Sequence, residues 1–515
     1  MQAYLTSTLP SCPDHTCENH LVGITEPSHY QAFGSTAGGS TRYRCKACSR
    51  TFAVARRTGL RQRHPDKNVR IFKLLVNKSP MRRICEVEEI APPTLYQRIS
   101  FFQQQCNVFA GAYERPLLQG KEIRRLNVAV DRQDYMINWS NQEDRRNVQL
   151  HALASADHAS GYVFGIHLDF DSSLIQDTVE REAAATGDSF LPGPFRRFAR
   201  IWLMADYQDA IRYLAHASAR NRRVRNAGYG LNAEIEETYQ NAEGRADVEA
   251  QMTLDFDTQL ASHGVQTHSE YTLYGHFYLL ERLFRGVGKV RFFLDQESGI
   301  RAAALAAFHE RIVAGTADAF YVRINKEFTV NERRRALQQS RGAFARACKR
   351  HLGLSDSEVE LELIRERIKN MATLGRWSDR WLMHPFPSMS EPEKAICYLT
   401  DRGQNTLDQL AHLYQRASLH SVDRFFMQVR RRLSLLERPI KTASAQGRTW
   451  YGYSPYNPAI VEKLLTIFRV FYNYVLVGED GRTPAMRLGL ASGPVSINDL
   501  LKFMPPVEGP ERPRH

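Results

Sequence analysis

A chain of 515 residues is too long for one ordinary hydrophobic core, so three or more domains are expected. Its 43% hydrophobic and 10% aromatic content excludes a disordered chain, and no apolar run approaches the roughly 20 residues that span a bilayer, so no membrane partner is expected. Ten of the thirteen net positive charges fall in residues 1–125, which hold 19 Lys and Arg against 9 Asp and Glu; a basic amino-terminal quarter on a nearly neutral body points to nucleic acid.

Taken in order, the chain first presents Cys12 with Cys17 and Cys45 with Cys48, two pairs separated by 27 residues. Eight cysteines are too few for a disulfide framework in a chain of this length. Paired thiolates on two knuckles instead surround one tetrahedral Zn²⁺, which stabilises a segment too small to build its own core. His15 and His20 are alternative ligands because the first knuckle is longer than C-x2-C. A zinc ribbon is therefore expected over 1–60, with Arg42 and Arg44 as DNA contacts. The start of the chain lacks the basic-then-apolar pattern of a secretory signal, so a cytoplasmic, nucleoid-associated protein is expected.

Residues 64–110 read as a helix-turn-helix. Apolar residues recur at helical spacing over 67–76, Pro80 stops that helix, a short one follows over 81–87, and Pro92-Pro93 opens a third that runs to about 106. The last helix would lie in the major groove with Thr94, Gln97 and Arg98 facing the bases.

Beyond residue 120 the pattern turns to strands. Residues 126–131 form an apolar run closing on Asp131, and 147–156 and 161–168 read as two more strands joined by a turn from Asp157 to Ser160. A helix over 271–284 leads to the run 289–295, which closes on Asp295; a helix over 299–313 and a strand over 317–324 follow. Two strand-borne carboxylates can share a hard divalent cation such as Mg²⁺ or Mn²⁺. Three antiparallel strands followed by alternating helix and strand, with Asp on the first and fourth strands, is the order of an RNase H-like fold. Asp206 closes a further apolar run, 201–205, and is a rival second acid, although helical pattern flanks it on both sides.

Here the chain resembles bacterial insertion-sequence transposases of the DDE class. The resemblance lies in the ribbon ending Arg42-Tyr43-Arg44-Cys45-Lys46-Ala47-Cys48, the strand-borne Asp131 and Asp295, the helical stretch at Asp423 with Arg430-Arg431-Arg432, and Arg482-Thr483-Pro484-Ala485. It implies a multidomain α/β protein. An RNase H-like mixed-sheet catalytic core would be assembled from 121–171, 269–326 and 416–440. Mainly helical insertions would occupy 172–268 and 327–415, a helical segment 441–503, and a disordered tail 504–515. It also implies metal-dependent cleavage and joining of double-stranded DNA by a homo-oligomer.

The third acid of such a site is assigned to Asp423, with Arg430 seven residues on as a phosphate contact. Leu419, Val422, Phe426, Val429, Leu433 and Leu436 form an apolar stripe beside it. Asp423 is an Asp where the family carries Glu, and it stands 128 residues past Asp295; Glu362 with Lys369, and Glu437, are alternatives. In the insertions, the run containing Arg222 and Arg223 is expected to track phosphates. Trp377 and Trp381 belong to the core or stack on bases. A chain that kept the DNA-binding parts but lost cleavage would be a regulator, and one that cut without joining would be a nuclease.

Overall fold

The computed structural model describes residues 11–14, 16–24, 28–35, 41–54, 62–138, 147–209, 230–243, 264–325, 328–375, 377–437, 440–441, 449–450 and 457–504. His15, Arg222 and Arg223 lie outside them, as does all but the first residue of the expected tail. The chain divides into two compact units, one of Met1–Gln119, Gln428–Ser454 and Ile460–His515, the other of Gly120–Met427 and Pro455–Ala459.

The first unit opens with a three-stranded antiparallel sheet, β1 (Tyr30–Ser35), β2 (Thr41–Cys45) and β3 (Thr51–Val54), in that order. Tyr30 and Tyr43 are buried, and both rings lie against Phe52. Three helices follow: α1 (Asn68–Leu75), α2 (Met81–Glu88) and α3 (Pro92–Leu118). The two prolines at the start of α3 give up N–H groups that a first turn leaves unpaired anyway.

The second unit holds an eight-stranded mixed sheet. Its strands are β4 (Ile123–Asn138), β5 (Asn147–Asp157), β6 (Val163–Leu168), β9 (Val287–Asp295), β10 (Ala317–Ile324), β11 (Ala372–Leu374), β12 (Asp379–Met383) and β13 (Lys394–Tyr398). A small pair, β7 (Phe170–Asp171) with β8 (Val265–Gln266), stands apart. The main order is β11-β12-β13-β10-β9-β4-β5-β6; β4, β9 and β10 run parallel and the other pairings are antiparallel. The turn from Asp157 to Ser160 forms as expected, with the Asp157 carboxylate accepting from Ser160 N and Oγ at 2.8 and 2.7 Å and from Asn127 N at 3.2 Å.

Helices α4 (Gln176–Thr186), α5 (Leu231–Glu243), α6 (Ser269–Leu283), α7 (Ser298–Ala307), α8 (His309–Val313), α9 (Val330–Arg350), α10 (Asp356–Lys369), α11 (Leu407–Arg416) and the part of α12 (His420–Arg432) up to Met427 complete the layers. Side-chain alternation assigns the faces of the sheet. Phe292 packs against Phe277 of α6 and Phe308, just past α7. Phe293, on the opposite face, stacks on His158 and neighbours Phe320, which meets Tyr414 of α11. Burying each such ring contributes about 1.5–3 kcal/mol.

Two expectations about extent change. The stretch 327–415 is not only helical, since β11, β12 and β13 lengthen the sheet beyond β10, with Trp381, Leu382, Ala395, Ile396 and Cys397 buried. Nor does α3 stop near residue 106. Its apolar stripe continues through Phe109, Ala110 and Leu117 and packs on α13 (Pro458–Val470, from Ile460 in this unit), a π-helical turn (Phe471–Val475) and α15 (Ile497–Lys502), while α14 (Pro484–Leu488) lies against the π-helical turn. Arg469 pairs with Glu114 at 2.6 Å, Gln105 donates to the Leu501 carbonyl at 2.9 Å, and Phe109 meets Tyr474 and Phe503. The segment from α1 to α3 thus shares one core with the carboxyl-terminal helices. Among the described residues, no helix is long and apolar enough to cross a membrane.

Candidate metal centres

Cys12, Cys17, Cys45 and Cys48 converge, their sulfurs all within 4.8 Å of one another. Cys12 and Cys48 stand 3.4 Å apart, and Cys17 and Cys45 3.7 Å. Four thiolates at about 2.3 Å from one tetrahedral Zn²⁺ would stand about 3.8 Å apart, so the group fits a metal such as zinc. Burial pushes the Cys12 thiol up to about 12. Cys45 goes the other way, to about 6: burial opposes its charged form, but the N–H groups of Cys48 and Ala47 and the Asn19 amide outweigh it. Those N–H donors come from the tight turn after β2, the local geometry that a C-x2-C knuckle dictates. His20 takes no place in the cluster, as its Nδ1 lies 2.7 Å from the Cys12 carbonyl.

On the ribbon's outer side, Arg42 and Arg44 lie over the Phe33 ring at 5.7 and 6.0 Å, and Phe33 is 45% exposed. Of the three expected groove-facing residues on α3, Gln97 is exposed and Thr94 half-buried. Arg98 corrects the expectation. It is buried on the stripe with Leu95, Ile99 and Phe102 and donates to the Arg63 carbonyl.

In the second unit, β4 and β9 pair in parallel from Ile123↔Val287 to Val130↔Leu294. Asp131 and Asp295 are the next residues on each strand, so they sit side by side and project to the same face. Contrary to expectation, Asp131 does not close its strand. Instead β4 continues to Asn138 paired with β5 alone, and Asp131 marks where its parallel partner ends. It is buried, with one carboxylate oxygen 2.7 Å from Arg132 N; Asp295 is half-buried.

The face is the one that carries Phe293 and α11, and α12 reaches it too. Ser421 donates to the Ala156 carbonyl at 3.0 Å. Asp423, two residues on, is half-buried at the border of a stripe in which Leu419, Val422, Phe426, Val429, Leu433 and Leu436 are all buried. Arg430 is half-buried on the same helix. Among the described residues, the cysteines are the one group of three or more ligand residues drawn within 4.8 Å; Asp131, Asp295 and Asp423 are not drawn together that closely.

The rivals are engaged elsewhere. Asp206 lies in the first turn of a short helix rather than at a strand end, gripped by Arg196 through two bonds of 2.8 and 3.0 Å. Glu362 pairs with Arg365 on α10 and Glu437 with Lys78, both at 2.7 Å. Trp381 is buried in the sheet, whereas Trp377 is 53% exposed with the Arg301 guanidinium 4.7 Å from its ring.

A buried ion pair fixes the start of α12. The Glu391 carboxylate accepts from Ser418 Oγ at 2.5 Å, Leu419 N at 3.1 Å and Lys394 Nζ at 2.9 Å, and Lys394 also donates to the Ala417 carbonyl at 2.9 Å. Burial works against the charged Glu391, yet Lys394, Ser418 and Leu419 prevail and lower its pKa. Glu391→Ala strands the buried Lys394 charge and should cost about 3–5 kcal/mol, while Glu391→Met with Lys394→Met recovers most of it. Urea denaturation of the three proteins checks this; a single variant as stable as the wild type would contradict it.

Sequence reasoning missed a charged network on the other face. Arg132 bonds Glu297 at 2.8 Å, joining β4 to the start of α7, and Asp134 bonds His151 at 2.7 Å. The only signal was position: Arg132 follows Asp131 directly and Glu297 stands two residues past Asp295, each in a short polar stretch after an apolar run. Burial lowers the His151 pKa, but Asp169 and Asp134 outweigh it and the net shift is upward. Its stabilising contribution is therefore complete below the ordinary value of 6.5 and is lost as pH rises through the raised pKa. His151→Gln should destabilise the protein by on the order of 1 kcal/mol at low pH, since Asp134 is half exposed to solvent, and by less at pH 8.5, measured by urea titration at each pH.

No family model matches the chain, and no curated protein matches it.

Proposed function

We propose that this is a metal-dependent enzyme of phosphodiester chemistry, with an RNase H-like core spanning β4, β5, β6, β9 and β10. Within that class we assign it as a DNA transposase that cleaves the ends of an insertion sequence and joins them to target DNA. The observation that carries the reading is the side-by-side placement of Asp131 and Asp295 where the parallel pairing of β4 and β9 ends. The order β10-β9-β4-β5-β6, with α12 over the same face, also supports it.

Carboxylates are the donors that Mg²⁺ or Mn²⁺ prefers, so Asp131 and Asp295 fit such an ion, with Asp423 as the third acid. When bound, the metal supplies an activated oxygen nucleophile and stabilises the leaving oxygen. The chain's own part is positional. The β4–β9 register fixes two carboxylates side by side, α12 carries the third with Arg430 two turns on, and Glu391 holds the start of that helix. The cysteine cluster would hold structural Zn²⁺, leaving Arg42, Arg44, Thr94 and Gln97 to engage double-stranded DNA, phosphate contacts setting register. Two DNA ends must be processed together, so the working form is a homo-oligomer in the nucleoid.

A second reading, a DNA-binding regulator that no longer cuts, is favoured by one observation: the three carboxylates are not gathered within 4.8 Å. Incubation with labelled element ends in Mg²⁺ or Mn²⁺ separates the two. Nicked and joined products support the transposase, whereas sequence-specific binding without cleavage under either metal supports the regulator.

A further inference from the structure

We propose that the cleft between α9 and α10 binds the phosphodiester backbone of DNA, as a second contact surface outside the ribbon and α3. It rests on the reading of the protein as DNA-binding and adds where the strand runs. The cleft encloses about 680 Å³ and is lined by Arg346, Lys349 and Arg350 of α9, Arg367 of α10, and the rings of Phe344 and Phe386. One carboxylate, Glu366, also lines it.

The sequence explains why the cations gather. Helix α9 carries Arg333, Arg334, Arg335, Arg341, Arg346, Lys349 and Arg350 against one acid, Glu332. Glu332 is spent on the capping box with Thr329, accepting from its N and Oγ at 2.7 Å each. Positions 346, 349 and 350 are spaced three and four apart, so they share a face of the helix. Ser340 donates to the Pro385 carbonyl at 3.0 Å and Phe344 meets Phe386 edge-on at 6.1 Å, which fixes the wall opposite.

The decisive feature is what these cations do not do. Arg365, on the same hairpin, pairs with Glu362 and Asp408, and Arg333 donates to the carbonyls of Phe328 and Met389. Among the described residues, Arg346, Lys349, Arg350 and Arg367 have no ion pair and no side-chain hydrogen bond to any protein group. Four like charges around one concavity repel one another, and a polyanion is the ligand that reverses that cost. An extended strand suits the cleft better than a small anion, because the cations line its walls and the row continues along α9 to Arg335, eleven residues before Arg346 and so on the same side of the helix.

The test is salt-dependent binding of the full-length protein to a fluorescent DNA duplex, followed by anisotropy. Each phosphate left without its cationic partner lowers the slope of log affinity against log salt by about 0.9. Replacing Arg346, Lys349, Arg350 and Arg367 by Gln should therefore reduce the slope by about 3 to 4. Exchanging Arg for Lys and Lys for Arg at the same sites should leave it within about one, which guards against misfolding of the neutral variant. A photo-cross-linking residue at Phe344 should label DNA in preference to an RNA duplex or an acidic protein. Wild-type binding with the slope unchanged in the Gln variant overturns the cleft and leaves the DNA-binding reading intact. A wild type that does not bind DNA overturns both, and preferential labelling of RNA or protein overturns the choice of ligand.

Discussion

Asp131→Asn and Asp295→Asn should each lower Mg²⁺-dependent strand cleavage by about a thousandfold or more while leaving DNA affinity within about twofold. Asn keeps the size of Asp but removes the charge, and with it several kcal/mol of metal-mediated stabilisation, at 1.4 kcal/mol per tenfold in rate. The two positions extend the β4–β9 register in step, so neither acid has a substitute on the neighbouring strand. Cleavage of labelled ends, measured beside anisotropy with the same DNA, gives both quantities. Asp423→Asn belongs in the series: an equal loss places α12 in the centre, while near-normal cleavage confines the centre to the sheet. Retention of more than a tenth of the rate in either strand variant would contradict the assignment.

The second large effect concerns the cysteine cluster. Cys45→Ser, or chelation of the metal, should unfold the ribbon of β1, β2 and β3, because its buried apolar cluster is little more than Tyr30, Tyr43 and the cysteines, with Phe52, Val22 and Ile24 at its margin. Structural zinc contributes on the order of 10 kcal/mol to folding such a segment, far more than those rings supply. Metal analysis should find one zinc per wild-type chain and none in the variant, and limited proteolysis should then cut within 11–54. The second unit, with its own core, should melt as before. A metal-free ribbon that resists protease would contradict the prediction.

Much of this arrangement was legible in the sequence, for identifiable reasons. Asp131 and Asp295 follow the apolar triplets Val128-Ala129-Val130 and Phe292-Phe293-Leu294, rich in strand-forming residues, and such a run suits a buried central strand. The stripe on α12 repeats over between three and four turns of helix, long enough for periodicity to show. By contrast β11, β12 and β13 are three to five residues long, too short for a period to show, and their strand character comes from successive pairing outward from β10, β13 first, then β12 and β11. The length of α3 was hidden because the surface that stabilises its second half is more than 350 residues away in sequence, at Arg469 and Leu501.

Arg98 shows a different failure. Its charge suggested a groove contact, yet it falls three residues after Leu95 and one before Ile99, so the helical period already placed it on the buried side. The network of Arg132, Glu297, Asp134 and His151 is hidden by the acids beside it, which carry the stronger pattern at the strand ends. The residues next to those acids point to the opposite face and tie β4 to α7.

The proposed centre requires a divalent cation between two neighbouring strands. The most direct measurement replaces Mg²⁺ with Fe²⁺ and adds ascorbate and peroxide, so that hydroxyl radicals cut the polypeptide beside the bound ion. Cleavage close to residues 131 and 295, competed by Mg²⁺ and lost in the Asn variants, is the predicted result. Cuts elsewhere in the chain, or cuts at these positions that persist in Asp131→Asn and Asp295→Asn, would contradict it.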